Sequence, residues 1–338
     1  MGRTSTHYDV ISIGAATLDT FLLAKEFSSY IEGNEEYLTV PASTKIDIPD
    51  IATETGGGAT NAAATFVRAG LKVGCMAKVG LDGPGREVER YLAKEKIDSL
   101  LVMDRSHQTG VSVVLKGKNG EDTILTHRGA GYEYKKTDVV LDGRQCSWLY
   151  VTSLAGDLVL LNRIITWANE HGVRVAVNPG SLEIAKRSRL IRILKQADVV
   201  FLNYAEMKQL FRVDTIPAGL EEARRSLWHT IVVTDSTKGS WILDGSYLYR
   251  AGISKKVKVI DRTGAGDAYG AGLIAAIIRG QSMQEAMSFA AANATSVISY
   301  IGAKVGILRS VDTDIMDINV SVFEPHKKPK GRFHVTPH

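Results

Sequence analysis

Residues 261–270 read Asp261-Arg262-Thr263-Gly264-Ala265-Gly266-Asp267-Ala268-Tyr269-Gly270. The residues before them, Val257-Lys258-Val259-Ile260, are strand-like, and residues 271–278 are small and apolar enough for a buried helix. A glycine-rich turn opening a helix leaves several backbone N–H groups aimed at one point, where the helix dipole adds partial positive charge. Such a point suits a phosphoryl group whose negative charge is growing. An aspartate there would repel that charge unless it accepts a proton. Beside a transferring phosphoryl group, a carboxylate can take the proton of an attacking hydroxyl. Asp267 is the candidate for that role, with Gly264, Ala265 and Gly266 as the anion hole. The competing reading makes Asp267 a helix cap and the glycines packing residues.

Outward from this segment the chain alternates strands and helices. Residues 148–152, 173–177, 199–202 and 231–234 read as strands. The helices between them run through Leu161 and Trp167, through Ile191, and up to Trp228. That alternation predicts a parallel sheet covered on both faces. Residues 8–14 form a first buried strand ending in a glycine turn. After Gly56-Gly57-Gly58, residues 59–69 are an alanine-rich helix closed by Gly70, followed by a strand over 73–79 and a helix over 86–96. Asn119-Gly120, between residues 111–115 and 122–126, is a hairpin signal, and Asp244-Gly245 is a second. Residues 37–40 and 45–48, punctuated by Pro41 and Pro49, predict short exposed strands.

The 338 residues carry 44% hydrophobic and 23% charged side chains, enough to bury an ordinary core. The net charge of +4 is concentrated in the tail, where Lys327, Lys328, Lys330 and Arg332 face one acid, Glu324. A broad basic face for nucleic acid is therefore not supported. The first apolar run, Val10-Ile11-Ser12-Ile13, is too short for a membrane span or a signal core, so a cytoplasmic protein with no membrane partner is expected. Cys75 and Cys146 have no metal-ligand spacing and read as buried thiols. No Gly-x4-Gly-Lys-[Ser/Thr] segment is present, and Ile13-Gly14-Ala15-Ala16-Thr17 lacks Gly-x-Gly-x-x-Gly. Those absences disfavour a P-loop nucleotidase and a dinucleotide-dependent oxidoreductase.

Residues 261–267 match in full the pattern Asp-x-Thr-Gly-Ala-Gly-Asp of the ribokinase-like, phosphofructokinase-B type carbohydrate kinases. Three more features fall in that family's order. Gly56-Gly57-Gly58-Ala59-Thr60-Asn61 resembles its N-terminal signature, and Asn203-Tyr204-Ala205-Glu206 its Asn-x-x-Glu motif. Asp19 stands where the family has a sugar-binding aspartate. The resemblance spans roughly residues 8–309.

The resemblance implies an α/β ribokinase-like three-layer sandwich, its mostly parallel central sheet lying between helices. A small β lid would come from insertions near residues 20–50 and 110–127. The kinase domain would cover 1–310, leaving 311–338 as a partly basic, mobile extension, of which residues 320–338 would be dispensable for catalysis. It implies phosphorylation of a sugar hydroxyl by ATP, with a nucleoside kinase or a catalytically silent sensor as alternatives. Asp19, Gly57, Gly58, Asn61 and Asp267 would hold the substrate; glycines permit close backbone approach, and Asn61 offers both donor and acceptor to a polyol. Asn178, Asn203, Glu206, Thr234, Ser236, Gly239, Gly264, Gly266 and Asn293 would line the ATP site. Ser236 departs from the family's glycine. Glu206 would hold Mg²⁺ through water; Asn203 and Glu206 also read as a capping box with an asparagine cap. Asp261 and Thr263, with carbonyls near Gly302 and Ala303, resemble a K⁺ loop. A homodimer through the lid would cover its open strand edges.

Overall fold

The computed structural model describes residues 6–24, 26–33, 35–116, 122–135, 137–226, 229–254, 257–311 and 318–323. Its frame is a ten-stranded sheet. Seven neighbouring strands are parallel, in the order Thr230–Thr234, Val199–Asn203, Arg174–Val177, Gln145–Val151, His7–Ile13, Val73–Met76 and Asp98–Ser99. Three antiparallel strands, Ser240–Asp244, Tyr247–Ala251 and Val320–Phe323, extend it beyond Thr230–Thr234.

The central strands are apolar on both faces over most of their length because both faces are covered. Val10, Trp148, Tyr150, Val199 and Phe201 point to one layer, with Phe66, Leu92, Leu273, Ile274 and Met287 from its helices. The alternate residues Ile11, Leu149, Val175, Val200 and Leu202 point to the other, where Leu161, Ile164, Leu190, Leu210 and Leu220 cover them. This is the three-layer sandwich expected. In the first layer the helices Ala265–Ile278 and Met283–Val297 approach closely because their facing residues are small. A Cβ on Gly272 would lie 3.3 Å from the Cα of Ala290. Cys75 and Cys146 are buried free thiols. Among the described residues no helix is long and apolar enough to cross a membrane.

A second sheet of four strands stands at one end, in the order Asp122–His127, Gly110–Lys116, Thr17–Leu23 and Asp50–Gly56. Two of its strands, Thr17–Leu23 and Asp50–Gly56, were not anticipated from the sequence. The short strand expected at 37–40 lies within Glu35–Thr39, which pairs with Ser28–Glu32 in a ladder of its own. Residues 45–48 are irregular, set between two prolines with no partner strand. The Asn119-Gly120 turn lies outside the described residues, but its flanking strands pair antiparallel.

Other expectations are corrected. The strand over 73–79 breaks at Ala77: Val73–Met76 joins the main sheet, whereas Lys78–Gly80 pairs with Val102–Asp104. Residues 257–260 are not a strand. The chain there bonds to a helix end, with Ile260 N–H donating to the carbonyl of Ile298 at 2.8 Å. The helix before Thr230–Thr234 ends at Arg225, and Trp228 lies outside the described residues. The region beyond 310 is not wholly apart from the core. Val311 and Ile318 are buried, and Val320–Phe323 is the sheet's last strand; residues 324–338 lie outside the described residues.

Candidate active site

The carboxyl ends of the parallel strands lie along one sheet edge. From His7–Ile13 the chain first crosses to Val73–Met76 on one side and later returns on the other as Gln145–Val151. A crevice at such a reversal is where α/β sheets bind ligands. Here Gly57 turns the chain with φ +88°, and Gly58 sits so close that an added Cβ would lie 2.7 Å from Thr152 Oγ1. Gly56 leaves room for Asp19: a Cβ there would fall 1.8 Å from Asp19 Oδ2.

Gly264 opens the Ala265–Ile278 helix in the left-handed conformation, φ +76°, with no side-chain cap. The Ala265 N–H is turned back to the Arg262 carbonyl at 3.3 Å. Helical geometry leaves the Gly266 and Asp267 amides without intrahelical acceptors, so they are the donors facing outward at this terminus. A Cβ on Gly266 would meet nothing within 4 Å, so the space beside it is open.

Asp267 does not cap its helix. Its Oδ2 accepts from Asn61 Nδ2 at 2.8 Å, across 206 residues of chain. Asn61 is buried, and its Oδ1 has no partner among the described residues. That orphaned acceptor, beside a carboxylate and a set of amides, fits an incoming hydroxyl donor. Burial pushes the Asp267 carboxyl above the usual aspartate range, and Asp19 adds to this; Asn61 and Lys304 pull the other way. Burial also raises Asp19, against the hydroxyls of Thr17 and Ser112 and the charge of Lys304.

Lys304 was not singled out from the sequence. It is 3% exposed, donates to the Thr55 carbonyl, and lies 5.1 Å from the centre of the Tyr91 ring. Burial pulls its ammonium down to about 8, although Asp19, Glu54 and Asp267 all favour its charge. Burial likewise raises Glu54, whose Oε2 lies against Gly302. One buried cation thus serves three carboxylates. The only sequence signal for it was a lysine directly after Gly302-Ala303.

Along the edge, Asn203 and Thr234 end adjacent strands, and Asn178 directly follows the next one, Arg174–Val177. Asn203 and Thr234 are ladder partners, and Asn178 Nδ2 donates to the Phe201 carbonyl at 3.3 Å. Asn203 and Glu206 form the full capping box: Glu206 N–H donates to Asn203 Oδ1 at 2.9 Å, and Asn203 N–H to Glu206 Oε2 at 2.8 Å. Burial raises the Glu206 carboxyl, the Asn203 amide opposes this, and the charge of Asp267 adds to it. Glu206 therefore faces the field of Asp267. Among the described residues no three His, Cys, Asp or Glu side chains converge into a metal cage. Two carboxylates in one field suit a hydrated Mg²⁺, which keeps much of its water shell.

Ser236, where the family pattern has glycine, is itself left-handed, φ +44°. Gly239, φ +92°, closes the same short turn, its carbonyl accepting from Asp235 N–H at 2.8 Å. Asn293 is a correction. It is fully buried, its Nδ2 donates to the Ala268 carbonyl at 2.9 Å, and its Oδ1 accepts from Leu308 N–H at 2.9 Å. Both polar ends are taken up in tying two segments together, so it offers nothing to an adenine.

Asp261, 2% exposed, anchors the loop before the turn. Its Oδ1 accepts from Thr263 N–H at 3.0 Å and its Oδ2 from Gly302 N–H at 2.8 Å. Burial alone would raise this carboxyl, but those bonds and the charge of Lys116 outweigh it and hold it below the usual range. The Lys116 ammonium lies 3.1 Å from Asp261 Oδ1. The expected K⁺ loop therefore already has a cation on its carboxylate.

The profile of the pfkB family carbohydrate kinases matches residues 22–308. A ribokinase of Haemophilus influenzae is 25% identical over 75% of this chain and 83% of its own length. A nucleoside kinase of Methanothermobacter thermautotrophicus is 26% identical over 88% of this chain and 92% of its own. Among solved structures, the adenosine kinase of Sinorhizobium meliloti superposes with a TM-score of 0.75 at 24% identity, covering 88% of this chain and 95% of that one. At that identity the likeness speaks for the fold alone.

Proposed function

The chain belongs to the pfkB family of carbohydrate kinases, ATP-dependent enzymes, and on that premise we propose that it phosphorylates a hydroxyl of a neutral sugar with Asp267 as general base. The observation that carries this reading is the 2.8 Å hydrogen bond from Asn61 to Asp267. It joins the glycine-rich segment at the lid to the turn that opens the Ala265–Ile278 helix, so a hydroxyl held by the first lies at the base in the second.

In this reading a substrate hydroxyl donates its proton to Asp267 while its oxygen attacks the γ-phosphorus of ATP. The bond to the bridging oxygen breaks, and ADP leaves with that oxygen. The Gly266 and Asp267 amides, with the helix dipole, meet the charge growing on the phosphoryl oxygens. Asp19 and Asn61 hold neighbouring hydroxyls. Asn178, Asn203, Thr234 and Gly239 follow the nucleotide along the sheet edge. Glu206, and Asp267 beside it, would hold a hydrated Mg²⁺, which neutralises phosphate charge when bound.

Neutral substrates are favoured by the carboxylates of Asp19, Glu54 and Asp267, each raised by burial. A sugar acid or phosphosugar would add negative charge to that cluster. A nucleoside is the second reading, supported by a relative named nucleoside kinase that matches this chain as well as the ribokinase does. A homodimer through the lid accords with exposed Ile51, Ile124 and Leu125 on the lid's two edge strands.

The test is ADP formation over a panel of neutral sugars, phosphosugars, sugar acids and nucleosides. Neutral sugars should give the highest kcat/KM. Preference for adenosine or cytidine would overturn the sugar assignment. Binding of sugar and ATP without transfer would move the protein to a sensor.

A further inference from the structure

Lys116 ends the lid strand Gly110–Lys116, and its side chain is 10% exposed. Its ammonium lies 2.7 Å from Asp122 Oδ2 on the neighbouring lid strand and 3.1 Å from Asp261 Oδ1 on the loop before the anion turn. The Asp261 side chain is fully buried. It also accepts from the Thr263 and Gly302 amides, which draw two loops around one carboxylate.

We propose that the Lys116 ammonium is the resident cation of this loop, taking the place of a monovalent metal ion, so that the protein needs no potassium. A buried carboxylate requires a counter-charge, and leaving one uncompensated is strongly destabilising. A potassium ion and an ammonium group carry the same single charge, and here the ammonium is covalently attached and held from a second side by Asp122. A free ion at Asp261 would meet that charge at contact distance. The tether has a consequence beyond neutralisation. Lys116 lies on the same strand as Ser112, which is in register with Asp19 on Thr17–Leu23. One side chain therefore ties the lid strand beside Asp19 to the loop that carries Gly264 and Asp267.

Only the activity arm of the test rests on the kinase reading; the melting arm needs no substrate. The full chain is dialysed into tetramethylammonium chloride and titrated with KCl at constant ionic strength. Melting temperature is read, together with ADP formation on the best acceptor. Wild type should hold its melting temperature within about 1 °C across the titration, against a loss of about 5 °C for Lys116→Met in tetramethylammonium. In that variant two carboxylates face the space left by the ammonium, so KCl should restore most of the melting temperature and rate. Lys116→Arg, which keeps a charge, should stay near wild type without potassium. Wild type that is both stabilised and activated several-fold by KCl overturns the proposal, whether or not the variants fold. So does a Lys116→Met that matches wild type in both salts, or a Lys116→Arg as impaired as Lys116→Met with neither recovered by KCl.

Discussion

Asn61 and Asp267, 206 residues apart, share a 2.8 Å hydrogen bond at the meeting point of two helix N-termini. Gly58–Arg68 begins three residues before Asn61, and Ala265–Ile278 begins two before Asp267. Each side chain thus stands in a first turn, where the backbone amides also point. The pair brings a proton acceptor, a hydroxyl acceptor and an anion site together at one place.

Asp267→Asn keeps the size of the side chain and removes the base. kcat should fall by roughly 10²–10⁴, with a much smaller change in KM. Melting temperature should rise rather than fall. The native carboxylate is raised by burial, so its ionised form weakens the fold above the usual aspartate range, and the neutral amide escapes that. Both are measured on one preparation. A variant that melts earlier and turns over normally would remove Asp267 from the chemistry.

Lys304 should leave a mark on the pH dependence of stability. Burial brings its folded pKa down to about 8, below the ordinary lysine value of 10.5. Between those values the unfolded chain still holds a proton that the folded chain has released, so this group's contribution to stability rises with pH across that window. Lys304→Met never carries the charge and should lack that rise in melting scans. It also removes a charge that favours ionised Asp267, so the acid limb of its pH–rate profile should move upward. Parallel melting slopes for the two proteins above pH 8 would contradict this.

The sandwich was legible because strands buried on both faces carry near-continuous apolar runs, as 148–151 and 199–202 do. The anion turn was legible because Gly264 takes a left-handed φ of +76° that few other residues permit, and Gly266 leaves the space beside it open. The lid was much less so. Thr17–Leu23 and Asp50–Gly56 are half-exposed and mixed in polarity, and they pair with each other across the hairpin of residues 28–39. Nothing local marks such partners. Lys304 and Lys116 were missed for a related reason. Neither lysine sits in a motif, and only the fold buries each among carboxylates that are mostly far away in the chain. Asn293 shows the opposite failure: the resemblance put it at the ATP site, but its partners are the backbones of Ala268 and Leu308, the packing role that a polar residue on an alanine-rich helix suggests by itself.

Ser236→Gly should stabilise the protein. A left-handed non-glycine residue costs about 1–2 kcal/mol, and the added freedom of glycine in the unfolded chain returns about 0.5–1 kcal/mol of that. The net gain is about 0.5–1 kcal/mol, a rise of about 1–2 °C in melting temperature. With no side chain at the turn, ATP can come closer to the backbone, and its KM should fall. Reduced stability would mean that the Ser236 hydroxyl supports the turn in a way that outweighs its strained φ.

Glu206→Gln separates the two roles of a single carboxylate. The cap needs only an acceptor for the Asn203 N–H, and glutamine supplies one at this position as glutamate does. Melting temperature should therefore stay within about 1 °C of wild type, since a fully lost cap is worth only about 1 kcal/mol. A hydrated Mg²⁺ needs the charge, which the amide lacks. The Mg²⁺ concentration for half-maximal rate should then rise by roughly 10-fold, the usual scale for an outer-sphere partner. Glu206→Ala loses both roles and should show the metal effect together with a lower melting temperature. An unchanged Mg²⁺ titration in Glu206→Gln, beside a destabilised Glu206→Ala, would leave Glu206 with the cap alone and move the metal to Asp267 and the phosphates.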